Sequence, residues 1–254
     1  MIAPWATRSR PWLREGELLV NVPSLVRAAR FASVGLPGGG VGARCCAMTP
    51  LTSAQRGPAR ELLVRAFDED PFFGFLAPEP RAREAFLRAV MGTNVALAVR
   101  AGAAHAALGE DGALEGVCLA FAPGRYAEAS IGGQVRVGLP AYAGVLARGL
   151  LRPRAIVRAL RAATLVEEAH PPEPTFYLQV LGVSPERQGR GVGSAMLRWL
   201  CGEADAAGRP AILETSKEAN ARLYRRSGFE TFRTASIDSS PPIWTMRRDP
   251  RPLS

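Results

Sequence analysis

Residues 178–194 constrain the fold more than any other part of this 254-residue chain. An apolar strand is predicted to end at Val183, because Pro185 removes a backbone donor and closes the strand. Three glycines at alternate positions then lead into a helix: Gly189, Gly191 and Gly193. The backbone N–H groups of such a loop, with the positive end of the helix dipole, form a nest for an anion such as a pyrophosphate. The segment therefore predicts a strand-to-helix turn with an anion site.

Two common phosphate-binding motifs do not fit this loop. Its glycines are spaced G-x-G-x-G, whereas the dinucleotide-binding fingerprint reads G-x-G-x-x-G, and several predicted elements precede the loop. Glu214 stands near the position of that fingerprint's ribose-binding acid, so a dinucleotide-binding loop stays open as an alternative. The Gly-Lys-Ser/Thr ending of a P-loop is missing. Glycines that close the loop for purely structural reasons are a further alternative.

The last third of the chain alternates strands and helices. Strands predicted over 176–183 and 211–214, joined by a helix over 193–206, imply parallel pairing in the centre of a sheet. A short helix over 220–226 follows, and strands over 229–235 and 243–247 close the chain as an antiparallel hairpin. These elements predict a mixed α/β fold.

Regular elements are also predicted before this third. A short strand is predicted over residues 43–48, and Thr52 or Ser53 is predicted to cap a helix that Asp70-Pro71 stops. The phenylalanines that follow either pack under a loop or wall a pocket: Phe72, Phe73 and Phe75.

Three further elements precede the last third. A second helix is predicted over 80–91. Apolar runs over 103–108 and 114–121 flank Glu110-Asp111-Gly112, which predicts a hairpin. Residues 132–166 are predicted as two helices broken at 151–153.

Residues 1–42 differ from the rest because they hold four prolines and show no sustained period. Three interpretations compete for this segment. It is a disordered tail, or an Arg-rich organellar transit peptide, or an artefact of translation from an upstream start codon, with Met48 or a nearby codon as the true start. The expected organisation is therefore a disordered or spurious extension over 1–42 and a single domain over 43–254.

Composition and charge exclude several classes of protein. The formal net charge is +9, and because Lys217 is the only lysine among 32 basic residues, 31 are arginine, as a GC-rich genome would produce. No Lys/Arg run indicates a specific nucleic-acid site. The four cysteines are too few and too irregularly spaced to predict a disulfide framework, and without a CxxC pair they do not predict a zinc site. They fit a reducing, cytoplasmic setting. No apolar run reaches the ~18 residues of a membrane span.

Two segments resemble the GNAT superfamily of N-acetyltransferases. In residues 181–197 the acetyl-CoA motif Gln/Arg-x-x-Gly-x-Gly/Ala is met by Gln188, Gly191 and Gly193. Residues 220–229 read Asn-x-x-x-Tyr-x-x-x-Gly-Phe, which is similar to the helix-to-strand signature of the family. The likeness is strong over 173–248, where the chain also resembles the puromycin N-acetyltransferases, and loose over 43–172.

The resemblance implies the GNAT fold: a mixed, mostly antiparallel twisted sheet whose parallel centre is splayed at the acetyl-CoA site, with helices on both faces. It also implies acetyl-CoA as co-substrate, no metal, and direct transfer of the acetyl group to an amine. The residues that it assigns to acetyl-CoA are Leu181, Gly182, Val183, Gln188, Gly189, Arg190, Gly191, Val192, Gly193, Ser194 and Asn220.

Two residues are expected to be catalytic, Tyr224 through the resemblance and Glu214 through its place in the chain. Tyr224 matches the family's tyrosine near the CoA sulfur, and a phenol of ordinary pKa ~10 can give its proton to a departing thiolate. Glu214 is the first choice as general base, because its strand follows the CoA helix and is expected to face the cleft, and a surface or capping glutamate is the alternative. The histidines are weaker choices, since His105 is expected to pack within a strand and His170 precedes a proline linker. A water-mediated route is the alternative to any single base.

The leading functional hypothesis is an N-acetyltransferase that acts on a small-molecule amine, as a monomer or homodimer. A protein or peptide N-acetyltransferase is the runner-up, and an acyl-CoA-binding module without turnover is the non-enzymatic alternative. Intact Tyr224 and Asn220 argue against the module. The insert over 132–166 favours a covered pocket for a small ligand over an open peptide groove. Neither a specific nucleic acid nor a membrane is expected as a partner.

Overall fold

One sheet of seven strands organises the described part of the chain. The computed structural model describes residues 48–150 and 152–252, with the backbone alone for residues 127 and 128. The strands are β1 (Met48–Pro50), β2 (Ala104–Leu108), β3 (Leu114–Phe121), β4 (Phe176–Val183), β5 (Ala211–Thr215), β6 (Glu230–Ala235) and β7 (Ile243–Arg248). Their order is β1-β2-β3-β4-β5-β7-β6. Only β4 and β5 are parallel, so the predicted mixed α/β fold with a parallel centre is confirmed.

The central strands β4 and β5 run side by side only at their beginnings. Their pairing ends at Leu178 and Leu213. Beyond these residues β4 pairs with β3, and β5 pairs with β7. A bulge places Gln179 of β4 between the last β5-paired residue and the rest of the strand. The centre of the sheet is therefore splayed, as the family resemblance implied.

Helices cover both faces of the sheet. They are α1 (Arg56–Phe67), α2 (Pro71–Leu76), α3 (Pro80–Ala101), α4 (Tyr126–Ala129), α5 (Ile131–Ala147), α6 (Pro153–Ala169), α7 (Val192–Ala206) and α8 (Glu218–Arg226). Successive side chains of a strand point to opposite faces. Val117 and Leu119 of β3 therefore share a core with α1 and α3, while His105 of β2 stacks on Trp199 of α7 with ring centroids 4.4 Å apart. None of the described helices combines the length and apolarity that a membrane span needs.

The second helix is longer than predicted. It continues from Met91 to Ala101 and ends only at Gly102, whose φ of 65° suits a glycine. The polar pair Thr93-Asn94 does not break the helix, because Thr93 Oγ1 donates a hydrogen bond to the Ala89 carbonyl at 2.8 Å and both residues are buried.

Other predicted elements are placed with small shifts. The hairpin around residues 110–112 is formed by β2 and β3. The two helices predicted for the insert are α5 and α6. The helices predicted to begin at Gly193 and Asn220 begin at Val192 and Glu218. Of the predicted first strand, only Met48 is described, where β1 begins, and the extension over residues 1–42 lies outside the described residues.

Close packing of α1 on β4 leads to a stability prediction. Gly182 of β4 lies against Leu63 of α1, and a Cβ atom at Gly182 would overlap Leu63 Cδ2. Because Leu63 is fully buried and overpacking a core costs about 1–3 kcal/mol, we expect Gly182→Ala to lower the free energy of unfolding by that amount in urea titrations.

The matched control is Gly202→Ala on α7, where a Cβ atom meets nothing within 4 Å. Since alanine is the better helix former, the control should unfold at the same or a higher urea concentration. A Gly182→Ala chain as stable as the unaltered one would contradict this packing.

Candidate active site

A cavity of about 490 Å³ opens where β4 and β5 separate. Side chains of α2, α3, α5, α6 and α8 complete its walls. Four residues that were predicted for the site from the sequence line this cavity together: Leu181, Glu214, Asn220 and Tyr224. The splay therefore creates the space in which these side chains meet.

The glycine-rich loop lies between the end of β4 and the start of α7, and residues 188–194 are not part of the cavity wall. Gly189 and Gly191 have φ angles of 74° and 87°, a left-handed backbone that other residues rarely adopt. Gly191 is the N-cap of α7, and no side chain caps this helix. The N–H groups of the first turn, Val192 to Ser194, are therefore available to an anion.

Side chains of the loop hold it in place. Gln188 Nε2 donates a hydrogen bond to the Val183 carbonyl at 3.2 Å, which ties the loop to the end of β4. Arg187 pairs with Glu115 at 3.1 Å, while Arg190 is exposed. The predicted cofactor residues therefore divide into a fixed loop and the strand edge of residues 181–183, which pairs with β3 on one side only. An uncapped helix terminus suits a pyrophosphate, and an open strand edge suits a chain of amides, so the residues present fit acetyl-CoA.

Glu214 lies on the cavity wall near the end of β5. Burial raises the pKa of its carboxyl group to about 8, and a hydrogen bond with the Tyr177 side chain acts in the opposite direction. Its Oε1 atom is buried and has no hydrogen-bond partner within the described part of the chain. A carboxyl group whose pKa lies this close to neutrality can accept a proton from an ammonium group.

Tyr224 of α8 also lines the cavity and is 6% exposed. Its ring meets Phe229 edge-on with centroids 6.0 Å apart, which fixes its position. Burial, and then the neighbouring Cys118 and Asp70, raise the pKa of the phenol above its ordinary value. The phenol is therefore protonated at neutral pH, the state that a proton donor needs.

Three aromatic rings that the sequence did not group stand together next to Glu214. Tyr126 stacks on His170 with centroids 3.4 Å apart, and Tyr177 meets them edge-on at 5.2 and 4.7 Å. Burial lowers the pKa of His170 to about 4, so its imidazole is neutral at pH 7. Residue spacing gave no signal of this cluster, because α5 and α6 separate Tyr126 from the other two rings along the chain.

The second histidine lies elsewhere. His105 is 3% exposed on β2 and stacks on Trp199 of α7. Burial lowers its pKa to about 4, against an opposing hydrogen bond with the Ala103 backbone. The prediction that His105 is a packed strand residue is confirmed.

Asp70 is a cavity residue that the sequence did not assign to the site. Its Oδ1 atom accepts hydrogen bonds from the backbone N–H groups of Phe72 and Phe73 at 2.9 and 3.3 Å, so it caps α2. Burial raises its pKa, while these two bonds and Lys217 lower it. Phe72 and Phe73 line the cavity, so two phenylalanines of the predicted cluster wall a pocket, whereas Phe75 lies outside the lining and contacts Arg158. The signal in the sequence was the Asp-Pro helix start directly before the cluster.

Metal ions need sets of donor side chains placed close together. Across residues 48–150 and 152–252, no group of three or more His, Cys, Asp or Glu side chains is placed to hold a metal ion.

Comparisons with known proteins agree with this geometry. A family model of the acetyltransferase (GNAT) domain matches residues 154–231. The structure of a histone acetyltransferase HPA2 and related acetyltransferase from Corynebacterium glutamicum is 25% identical to this chain, with a TM-score of 0.57. That match covers 82% of this chain and 97% of that chain.

Two further structures are similar in fold alone. Arylalkylamine N-acetyltransferase 2 from Aedes aegypti is 13% identical, with a TM-score of 0.50 over 80% of this chain and 97% of that chain. The C-terminal condensation domain of Ebony, in complex with beta-alanyl-dopamine, is 10% identical, with a TM-score of 0.52 over 80% and 97%. The chain therefore has the fold of the GNAT acetyltransferases, and its residues 154–231 match the acetyltransferase domain of that family.

Proposed function

We propose that residues 43–254 form a single acetyltransferase domain that moves an acetyl group from acetyl-CoA directly to the amine of a small molecule. The observation that carries the proposal is the meeting of Glu214, Tyr224 and the open edge of β4 in one cavity, at the point where β4 and β5 part. The match of residues 154–231 to the acetyltransferase domain supports the same reaction.

Acetyl-CoA supplies the activated acetyl group as a thioester. The N–H groups of the loop and of the first turn of α7 hold its pyrophosphate, because Gly189 and Gly191 leave the backbone open to an anion. The edge of residues 181–183 binds the pantetheine amides as an added strand, and Asn220 bonds the same arm. A backbone N–H of this edge polarises the acetyl carbonyl, and one such donor contributes roughly 3 kcal/mol to the transition state.

Proton transfers complete the reaction. Glu214 takes a proton from the incoming ammonium group and so frees the nitrogen lone pair. The nitrogen then forms a bond to the acetyl carbon while the carbon–sulfur bond breaks. Tyr224 gives its proton to the departing thiolate. The nitrogen still carries one extra proton after its attack, and loss of that proton as the amide forms restores the Tyr224 phenol, directly or through water. Glu214 then releases its proton to solvent, so the net reaction gives the amide, the CoA thiol and one proton.

The walls of the cavity favour a small acceptor over a peptide. Helices α5 and α6 contribute Tyr142 and Val166 to the cavity, so they enclose the space that a peptide would need as an open groove. The likeness to an arylalkylamine N-acetyltransferase agrees with a small amine, though at 13% identity it concerns the fold. A protein or peptide acceptor and a non-catalytic acyl-CoA-binding module are the alternatives to be tested.

Transfer to small amines is the test. The full chain is incubated with acetyl-CoA and separate primary amines, and both the released CoA thiol and the acetylated product are measured by mass spectrometry. We expect stoichiometric release of thiol and formation of an amide with at least one small amine. Acetylation of peptides alone would favour the runner-up. Binding of acetyl-CoA without transfer to any amine or peptide would favour the non-catalytic module.

A further inference from the structure

The walls of the cavity differ in charge from the rest of the chain. The chain as a whole carries a formal net charge of +9. The described residues that line the cavity include three carboxyl groups, Asp70, Glu167 and Glu214, and no lysine, arginine or histidine. An acceptor that enters this cavity therefore meets acidic side chains and no cationic side chain among the described lining residues; Lys217 acts on Asp70 from outside the lining.

Two arginines of α6 are engaged outside the cavity lining. Arg158 and Arg161 pair with Asp238 at 3.4 and 3.2 Å. Arg158 also lies over the Phe75 ring, 4.5 Å from its centroid, and neither arginine lines the cavity. Neither of these two arginines is therefore placed to pair with an anionic group on the acceptor.

Two of the three carboxyl groups already have structural roles. Asp70 caps α2 through the N–H groups of Phe72 and Phe73. Glu167 Oε1 accepts a hydrogen bond from the Ile131 N–H at 2.7 Å, which anchors the start of α5. Glu214 is left with a buried oxygen that has no hydrogen-bond partner in the described part of the chain. One carboxyl group is thus available for one ammonium group.

The remaining surface of the cavity is aromatic and apolar. Eight aromatic side chains line it, among them Phe72, Phe73, Phe86, Tyr126 and Tyr142. Phe73 contacts Phe67 and Phe86 with ring centroids 6.0 and 6.1 Å apart, so these three rings form one continuous wall. Such walls favour an aromatic ring through apolar burial and edge or face contacts.

Neutral polar groups complete the lining. Gln179, at the bulge of β4, has both side-chain amide atoms buried without a hydrogen-bond partner in the described residues. The Oδ1 atom of Asn94 on α3 is buried in the same way, without a described partner. Both residues line the cavity. A buried polar atom without a partner is costly, so these amides suit a ligand that brings neutral donors or acceptors.

We propose that the acceptor is an aromatic primary amine with a single positive charge and no anionic group, which excludes the corresponding free amino acids. This inference rests on the proposed acetyl transfer. The ammonium group pairs with Glu214, the ring lies against the phenylalanine wall, and neutral hydrogen-bonding groups on the acceptor satisfy Gln179 and Asn94. A carboxylate on the same molecule would be buried among carboxyl groups, with no cationic side chain among the described lining residues to balance its charge.

Three matched compounds test the proposal: phenethylamine, phenylalaninamide and phenylalanine. They share the ring and the amine, and the substituent on the carbon next to the amine is a hydrogen, a neutral amide or a carboxylate. We expect kcat/KM for the first two to exceed that for phenylalanine about 100-fold or more, because an unpaired buried charge is strongly unfavourable. Putrescine, a dication without a ring, should also rank below phenethylamine.

A matched pair of variants tests the role of charge. Val135 of α5 lines the cavity and is 44% exposed, whereas Val157 of α6 is 54% exposed and lies outside the lining. Val135→Arg places a cation at the cavity and should narrow the discrimination against phenylalanine about 5-fold. Val157→Arg should leave the discrimination unchanged. Equal discrimination in both variants would overturn the electrostatic basis of the proposal.

Calorimetric titration of the same three amines into the full chain saturated with CoA separates the two levels of inference. Phenylalanine or putrescine as the preferred ligand would overturn the acceptor class and leave acetyl transfer intact. Preferential binding of phenethylamine without acetylation would support the ligand class and contradict the transferase. Absence of both binding and acetylation of the aromatic amines would overturn the acceptor class.

Discussion

Replacing Tyr224 with phenylalanine is expected to lower kcat about 100-fold or more, with little change in the affinity for acetyl-CoA. The variant removes only the phenolic oxygen, so the packing of the ring against Phe229 is kept. Without that oxygen, the departing thiolate has no positioned proton donor, and general acid catalysis contributes roughly 10²–10⁴-fold. Steady-state kinetics at saturating acetyl-CoA and amine measure the effect.

Tyr142→Phe is the matched control. Tyr142 also lines the cavity, but it lies on α5 and its hydroxyl group bonds Thr93. Loss of the Tyr142 hydroxyl group should leave kcat close to that of the unaltered chain. A Tyr224→Phe chain that keeps full kcat would remove Tyr224 from the chemistry.

Replacing Glu214 with glutamine is expected to lower kcat/KM about 100-fold and to change its pH dependence. In the unaltered chain kcat/KM should rise with pH through about 8, because Glu214 must lose its proton before it can accept one from the amine. The neighbouring Tyr126 and Tyr177 have pKa values raised by burial, so they stay protonated in this range. In Glu214→Gln the step near pH 8 should disappear.

The same amine is used for both chains, since its own ionisation then affects the two profiles equally. Retention of the step near pH 8 in Glu214→Gln would assign it to another group. Full activity without the carboxyl group would support the water-mediated route.

Stability gives an independent reading of the same carboxyl group. Its pKa is raised from an ordinary value of 4.5 to about 8 in the folded chain. Below pH 4.5 both states hold the proton, whereas between 4.5 and 8 only the folded state does, so this group's contribution to stability is lost as the pH rises through that range. The free energy of unfolding of Glu214→Gln should therefore gain on that of the unaltered chain between pH 5 and pH 8. Urea titrations at the two pH values measure the difference, and a constant difference would contradict the raised pKa.

Local patterns in the sequence were sufficient for much of the fold. The Asp-Gly turn between two apolar runs placed the β2–β3 hairpin, and the glycine loop between a strand and an amphipathic helix placed the β4–α7 junction. Both signals depend on neighbouring residues only. The end of α3 was missed because Gly92-Thr93-Asn94 looks like a break in helical periodicity. Packing of Thr93 against Gly138 of α5 and the Thr93 bond to Ala89 outweigh the weak local preference.

The candidate site was predictable only in part. Residues 181–194, Asn220 and Tyr224 lie in recognisable segments, so their neighbourhood could be inferred. The acidic and aromatic lining could not, because Asp70, Tyr126 and Glu167 meet through the insertion of α5 and α6 over the splayed strands. The bulge at Gln179 could not be predicted either, because a single polar residue within an apolar strand does not distinguish a bulge from regular pairing.

Calorimetric titration of the full chain with acetyl-CoA tests the central claim most directly. Gly191→Glu is the informative variant, because it introduces a negative side chain at the left-handed N-cap of α7. Gly208→Glu is its control: Gly208 is exposed, has a φ of 59° and lies beyond the other end of the same helix. We expect micromolar binding by the unaltered chain and by Gly208→Glu, and none by Gly191→Glu. Folded protein that does not bind acetyl-CoA, or a Gly191→Glu chain that binds as tightly as the unaltered one, would contradict the proposed acetyl-CoA site.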